Sequence, residues 1–461
     1  MSRPVNKSLV DQPVLPTLIR LAWPIMVGNA MHLMYNVVDT FWVGRLGPEP
    51  LAAVSVSFPL LFMVFSIAAG FSIAGIALVS QYTGAKDQEQ ASLAAGQVLV
   101  FCTALAGVLS ALGLVFGQDL LRLLGTNPEI MPYAWQYFRI IVGGIPMIFI
   151  FFVFAAILEG IGDTVTPMKL KVGSLLLNII LDPFLIFGWW VLPEWGIAGA
   201  GAATVLSRTA ATFVGLGMLL RGRGQLRLRL RHILPNGPMI RQIIRIGIPG
   251  SVALSTVSVT MALITGLVAQ FGTHALAAWG VGNRVLAIIR MPSMGVARAT
   301  GVLVGQHLGA DQPVQAETTA WLGTGVVFGF MLCLAAAFFA FSEQIMLVFT
   351  REPGVIAIGV RLLRIGSFAY AFLGIQQVLG GALEGAGKTI AQSLFNLITL
   401  GLLQIPLAYG LAVTLDIGVH GIWWGMLAAK MLGAAAISIW FRRGTWQGKV
   451  IRKAEGDGRA V

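Results

Sequence analysis

Two aspartates and an asparagine stand inside long apolar stretches of this chain. Asp39 lies a few residues before the end of one such stretch near the N-terminus, and Asn178 and Asp182 lie four residues apart in a later one. A spacing of four places two side chains on the same face of a helix. Burying a carboxylate is costly unless it is protonated, paired or bound to an ion. These groups could therefore bind and release a proton, or hold a Na⁺ ion through their oxygens.

Each aspartate also has a plainer interpretation, and the sequence allows both. Asp39 could be an interfacial residue near Trp42, and Asp182 could belong to a local kink because it precedes Pro183. The residues also do not distinguish H⁺ from Na⁺ as the ion.

The elements that must position these groups are transmembrane helices. The chain is 57% hydrophobic and only 11% charged, whereas soluble domains carry roughly 25% charged residues. Its apolar runs reach about 20 residues or more, enough to cross ~30 Å of hydrocarbon. We predict an all-α polytopic membrane protein with twelve spans: 16–42, 51–79, 93–117, 133–158, 166–191, 195–220, 240–266, 276–304, 318–342, 358–383, 391–413 and 418–441.

The second half of the chain repeats the first. Residues 18–203 match residues 243–428 at a constant offset of 225, so that Pro24 pairs with Pro249. With six spans in each copy, we predict two six-helix lobes related by a pseudo-two-fold axis along the membrane normal. The expected domains are an N-terminal lobe 1–220, a basic cytoplasmic linker 221–239, a C-terminal lobe 240–441 and a cytoplasmic tail 442–461.

The differences between the two copies are more informative than their similarities. Five polar residues of the first copy face an apolar residue at the matching position of the second, so the shared fold does not require them. We therefore predict an ion-coupling site in the first lobe. The pairs are Asp39 with Ile264, Asp182 with Leu407, Asn178 with Leu403, Tyr137 with Leu362, and Thr204 with Ala429.

Basic residues set the expected orientation. Five arginines lie within 221–231, and the C-terminal tail is also basic. The positive-inside rule then places both termini and the linker in the cytoplasm, in a multi-pass protein of the inner (plasma) membrane. An anionic inner leaflet explains the net charge of +12 better than nucleic acid does.

Two similar lobes around a central cleft are typical of alternating-access transporters. The five histidines form no metalloprotease motif, and no serine-hydrolase motif is present. We therefore expect a transporter and not an enzyme, without a cofactor other than H⁺ or Na⁺. Its partners should be a small drug-like molecule and the bilayer, and we expect a monomer.

Four further residues have weaker predicted roles. Pro24 interrupts the first span and could serve as a hinge or only as a structural kink. His32 and Met31 could line a soft, apolar substrate cavity, although such methionines often face lipid or core. Arg284 is expected to face protein or cavity, where it would disfavour cationic substrates.

Several motifs together resemble those of one transporter family. The stretch from Pro24 through Tyr35-Asn36-Val37-Val38-Asp39 to Gly47 resembles the first span of multidrug and toxic compound extrusion (MATE) transporters. So do three further segments, Val79-Ser80-Gln81-Tyr82-Thr83-Gly84-Ala85 with its second copy from Val304 to Ala310, Glu159-Gly160-Ile161-Gly162-Asp163-Thr164, and Asn178-Ile179-Ile180-Leu181-Asp182-Pro183.

The resemblance implies an exporter that exchanges a lipophilic, usually cationic compound for H⁺ or Na⁺. Within the family the chain is similar to the prokaryotic DinF-type branch, whose functional carboxylates lie in the first lobe, as Asp39 and Asp182 do. Asn178, Tyr137 and Thr204 would accompany them. The alternative is a lipid-linked precursor flippase of the same superfamily, which would use arginines to bind a pyrophosphate head group.

Overall fold

A computed structural model of the chain is helical throughout most of the residues that it describes, which are 8–188, 193–220, 226 and 228–451. Within those residues twelve helices are long and apolar enough to cross a membrane, which confirms the predicted fold class. A further helix, Ser342–Phe349, has eight residues, is too short to cross a membrane and is not numbered with them. The twelve are α1 Val14–Val43, α2 Pro48–Gly84, α3 Gln88–Leu123, α4 Met131–Gly160, α5 Val165–Phe187, α6 Ile197–Leu220, α7 Gly237–Ala269, α8 Thr273–Gly309, α9 Pro313–Ala340, α10 Pro353–Gly385, α11 Thr389–Thr414 and α12 Val419–Phe441.

Six of the twelve helices extend about a turn or more beyond an end of the predicted apolar run, because polar residues at the ends still form helical hydrogen bonds. Asp87, for example, caps α3 by accepting a hydrogen bond from the Gln90 amide at 3.0 Å. The fifth span was predicted too long. It ends at Phe187 and not at residue 191, because Gly188 adopts a left-handed conformation with φ of 67°. Residues 189–192 lie outside the described ranges.

The helix α11 departs from its repeat mate α5. Helix α5 is α-helical throughout, whereas α11 contains two π-helical segments, Leu397–Gln404 and Gly410–Thr414. A π-helical segment widens the turn and redirects the side chains that follow it. The two copies of the repeat therefore differ in backbone as well as in side chains at the helix that carries Asn178 and Asp182.

The structure divides into two compact units. Val27–Thr83 and Asp87–Ser251 form the N-terminal unit, and the described residues of 1–26, 84–86 and 252–461 form the C-terminal unit. Helix α1 thus passes from one unit to the other two residues after Pro24, and α7 does so two residues after Pro249. The lobe boundaries at 220 and 240 remain a prediction.

Small residues allow close helix packing inside each unit. In the N-terminal unit, a Cβ at Gly70 would overlap Ser251, so α2 and the first part of α7 touch there only because residue 70 is glycine. In the C-terminal unit, a Cβ at Gly295 of α8 would meet Met26 and the Ala22 carbonyl of α1. The first part of α1 is therefore an integral part of the C-terminal unit.

The end of the basic linker folds against the start of α3. Glu89 pairs with Arg231 at 2.7 Å and with His232 at 2.8 Å. The Gln97 amide donates to the carbonyl oxygens of His232 and Leu234 at 2.8 and 2.7 Å. Arg221, Arg223 and Arg227, which carried part of the orientation argument, lie outside the described residues.

Candidate functional site

All five residues of the predicted coupling site are buried in the N-terminal unit. They come from four helices, since Asp39 lies on α1, Tyr137 on α4, Asn178 and Asp182 on α5, and Thr204 on α6. None of them exposes more than 8% of its surface. Packing of these four helices therefore brings together side chains that are up to 165 residues apart.

Hydrogen bonds join four of the five residues in two pairs. The Thr204 hydroxyl donates to Asp39 Oδ2 at 3.1 Å. Asn178 and Asp182 lie one turn apart on α5, and the Asn178 amide donates a hydrogen bond to Asp182 Oδ1, also at 3.1 Å. The Asp39 carboxyl lies close enough to Asp182 and Asn178 for the side chains to interact. Tyr137 interacts electrostatically with both carboxyl groups. We call these five residues the acidic cluster.

Three oxygens of the acidic cluster are buried and lack a hydrogen-bond donor among the described residues. They are Asp39 Oδ1, Asn178 Oδ1 and Asp182 Oδ2. Leaving a buried acceptor unsatisfied costs about 1–3 kcal/mol per group, and native proteins rarely tolerate it. Three such acceptors in one cluster match the needs of a proton or of a hard cation with oxygen ligands.

The described residues contain no group of three or more His, Cys, Asp or Glu side chains with metal-site geometry. The predicted Na⁺ ligands are a different kind of set, two carboxylates and one amide oxygen. The Na⁺ site at Asp39, Asp182 and Asn178 therefore stays a prediction.

Sequence reasoning missed three neighbours of the acidic cluster. The hydroxyls of Tyr35 and Ser207 are hydrogen-bonded to each other, and the Ser207 hydroxyl donates to the Thr204 carbonyl at 3.1 Å. The Arg208 guanidinium lies 4.7 Å from the centroid of the Tyr35 ring. Spacing would have found them, because Tyr35 precedes Asp39 by one helical turn and Ser207 and Arg208 follow Thr204 by one.

Arg208 supplies the positive charge of this region. It is only 8% exposed, and it interacts electrostatically with Asp39. Within the described part of the chain its guanidinium forms no ion pair shorter than 4.0 Å. One buried positive charge thus stands beside two carboxyl groups. It can compensate one ionised carboxylate, and the other requires a proton or a bound cation.

The residues predicted for a substrate cavity lie on two different helices. His32 is exposed on α1 and packs edge-on against Phe152 at a centroid distance of 6.2 Å, and Met31 beside it is partly buried. Arg284 is exposed on α8, in the other unit. The cavity role of these three residues stays a prediction.

Two glutamates at matching positions of the repeat, Glu159 and Glu384, lie at helix ends. Glu159 occupies the last turn of α4 and pairs with Lys171 at 3.7 Å. Glu384 occupies the last turn of α10 and accepts a hydrogen bond from Gln392 at 2.6 Å. Both have partners within their own unit, which fits a structural role at a helix end.

Known proteins give an independent view of this arrangement. The MatE family model matches the chain twice, at residues 24–184 and 249–410. The two matches begin at Pro24 and at its repeat mate Pro249, and together they cover more than half of the chain.

Curated relatives and solved structures match over nearly the full length. The probable multidrug resistance protein YoeA of Bacillus subtilis is 29% identical, covering 88% of this chain and 89% of its own. A protein of Shewanella oneidensis named as an FAD transporter is 28% identical, with 87% and 88% covered. A crystal structure of a MATE protein in a bent conformation superposes with a TM-score of 0.90 at 25% identity, covering 95% of this chain and 97% of that one.

Twelve candidate spans, two tandem family matches and full-length relatives agree with one another. They confirm the predicted assignment to transport across a membrane and not to catalysis. The chain belongs to the MatE family of integral membrane transporters, several of whose curated members are named as multidrug resistance or export proteins.

Proposed function

We propose that the chain is a secondary active antiporter that exports a lipophilic small molecule in exchange for H⁺ or Na⁺. The observation that carries this proposal is the set of three buried oxygens of Asp39, Asn178 and Asp182 that lack a donor. An ion that fills this set would satisfy them and neutralise the charge that Arg208 leaves uncompensated. Loss of the ion would reverse both effects, so the site has two states of different stability.

Coupling to movement is proposed to run through α1. Pro24 removes a hydrogen bond from this helix fifteen residues before Asp39. The helix passes from the C-terminal to the N-terminal unit just after that proline. An ion bound at Asp39 would thus act on the helix that links the two units. Bending at Pro24 would serve alternating access between two six-helix lobes with the boundaries predicted from the repeat.

The proposal also specifies the class of molecule that is exported. The family resemblance makes lipophilic cations the first class to test, and multidrug names among the relatives agree with a small drug-like molecule. The alternative is flipping of a lipid-linked precursor. Translocation of a lipid-linked substrate, with no efflux of any dye, would favour that alternative. We propose that the chain acts as a monomer.

Asn178→Leu, which installs the residue of the repeat mate, tests which ion is used. The variant removes one neutral oxygen and the hydrogen bond to Asp182 but leaves both carboxyls. We expect efflux driven by a Na⁺ gradient to fall about tenfold, because Na⁺ needs several oxygen ligands. Efflux driven by a pH gradient should fall less. Proteoliposomes with each gradient imposed in turn provide the measurement.

The matched control is Ser174→Ala, one turn earlier on α5. Ser174 is also buried and its hydroxyl lacks a partner among the described residues, so this variant should transport normally. Unchanged efflux by Asn178→Leu under both gradients would remove Asn178 from the site.

Orientation is tested with introduced cysteines. In a Cys333→Ala background, because Cys333 is exposed, a cysteine at Gly448 should resist an impermeant thiol reagent in intact cells. A cysteine at Pro48, the first residue of α2, should react. This pattern follows if the basic segments remain in the cytoplasm. Reaction at Gly448 from outside, with Pro48 protected, would invert the proposed topology.

A further inference from the structure

The C-terminal unit contains a buried basic cluster that the proposed ion site does not use. Lys430 on α12 is only 4% exposed, and its ammonium lies 4.5 Å from the centroid of the Tyr370 ring on α10. Arg290 on α8 is partly buried and interacts electrostatically with both residues. Three neighbouring helices thus bring two basic residues close to one buried tyrosine. We call Arg290, Tyr370 and Lys430 the basic cluster.

These two charges have no carboxylate partner in the described part of the chain. Helices α8, α10 and α12 together carry one acidic residue, Glu384. Glu384 accepts a hydrogen bond from Gln392 and lies beside Arg298. Neither Lys430 nor Arg290 forms an ion pair within 4.0 Å among the described residues, and Arg290 Nε is buried without any hydrogen-bond partner there. Both cations are therefore left uncompensated by the described protein.

The shared fold does not require the basic cluster. At the offset of 225, the matching residues of the first copy are all apolar. Arg290 corresponds to Phe65, Tyr370 to Ile145 and Lys430 to Val205. Buried, unpaired cations are among the most expensive groups that a membrane protein can hold, and where they occur they mark functional sites.

Hydrogen bonds between the helices hold the basic cluster in place. The Gln376 amide of α10 donates to the Lys430 carbonyl of α12 at 2.8 Å. The Ser293 hydroxyl of α8 is hydrogen-bonded to the side-chain oxygen of Gln377 on α10. These bonds tie together the helices that carry the two basic residues, which limits the reorganisation needed on binding.

We propose that the basic cluster binds an anionic group, a carboxylate or a phosphate, of the transported molecule. Arg290 offers an unused Nε–H, and a guanidinium pairs well with either group. Lys430, held over the Tyr370 ring, adds a second basic group. This inference rests on the proposed export function and replaces the expected cation with a substrate that carries negative charge.

The test is equilibrium binding by the purified full-length chain in neutral-lipid nanodiscs, without any ion gradient. Two dyes with the same xanthene core serve as probes, carboxyfluorescein as the anion and tetramethylrhodamine ethyl ester as the cation. We expect Lys430→Val and Arg290→Gln each to weaken carboxyfluorescein binding roughly tenfold, as for loss of a charged hydrogen bond. Lys430→Arg should retain it. Binding of the cationic dye should stay the same or tighten.

Two controls exclude simpler explanations. Arg361→Gln removes an exposed charge from α10 and should not alter carboxyfluorescein affinity. The melting temperature of Lys430→Val should not fall, since the change relieves an unpaired buried charge. A structural role for Lys430 would lower it and would impair the binding of both dyes.

The outcomes separate this inference from the proposed function. Undiminished carboxyfluorescein binding by a folded Lys430→Val, Arg290→Gln double variant would overturn the inference, and so would wild-type protein that binds only the cation. Displacement of the dye when phosphatidylglycerol is added would assign the basic cluster to a lipid head group instead. The binding test runs without an ion gradient, so it reports on the basic cluster and not on ion coupling. A failure of ion-driven export would therefore count against the proposed function and leave the binding result intact.

Discussion

Asp39→Asn is expected to abolish export driven by an ion gradient while the protein still folds. Asparagine keeps the size of the side chain and can still accept the hydrogen bond from Thr204. It cannot change charge, so it cannot bind the ion in one state and release it in the other. An ion that binds two conformational states of a protein equally well does not shift the equilibrium between them. Efflux should therefore fall by at least about tenfold, the effect of losing 1.4 kcal/mol of coupling free energy.

Re-energised cells preloaded with a dye that the wild type exports provide the measurement. Expression should survive, because removing a buried carboxylate relieves a desolvation cost. Dye efflux at the wild-type rate from Asp39→Asn would show that α1 carries no part of the coupling site.

Asp182→Asn is expected to uncouple substrate binding from ion binding. In the wild type, substrate affinity should depend on pH or Na⁺ concentration, since the two ligands favour different states of the acidic cluster. In the variant, the ratio of substrate dissociation constants at high and low ion concentration should approach about one. Calorimetric titration of the detergent-solubilised protein at two ion concentrations gives this ratio.

Asp416→Asn is the matched control for that experiment. Asp416 is exposed and has a positive φ of 53°, a conformation that asparagine also tolerates. It should keep the wild-type ratio. An ion-dependent affinity that persisted in Asp182→Asn would place the ion elsewhere.

The membrane spans could be predicted because hydrocarbon thickness fixes the length of an apolar helix. Their ends could not, since they depend on local backbone choices such as the left-handed Gly188 after α5. The π-helical segments of α11 were also beyond sequence reasoning. The apolar residues of α11 fit a regular helix equally well.

The acidic cluster could be predicted from the two repeats because its polar residues face apolar residues in the second copy, and the fold therefore does not need them. The comparison was applied in one direction only, from the first copy to the second, and therefore missed Lys430 and Arg290. Helical spacing along the eighth span drew attention to Arg284, which is exposed, and not to Arg290, which carries a buried nitrogen. Which face of a helix turns inward is decided by its neighbours, and the sequence of one helix does not contain that information.

The two copies have thus diverged toward opposite charge. The N-terminal unit buries two carboxyls beside one arginine, and the C-terminal unit buries a lysine and an arginine without a carboxylate partner among the described residues. A repeat that is used twice can assign ion binding to one copy and substrate charge to the other. Separate sites would allow mutations to affect coupling and substrate choice independently.

The most direct test of the N-terminal coupling site compares Asp39→Asn with Glu384→Gln in proteoliposomes under the same imposed gradient, first of pH and then of Na⁺. Both variants remove one buried or partly buried carboxylate, one from each unit. The account predicts that Asp39→Asn fails to transport under either gradient and that Glu384→Gln keeps most of the wild-type rate. An inactive Glu384→Gln beside a normal Asp39→Asn would contradict it.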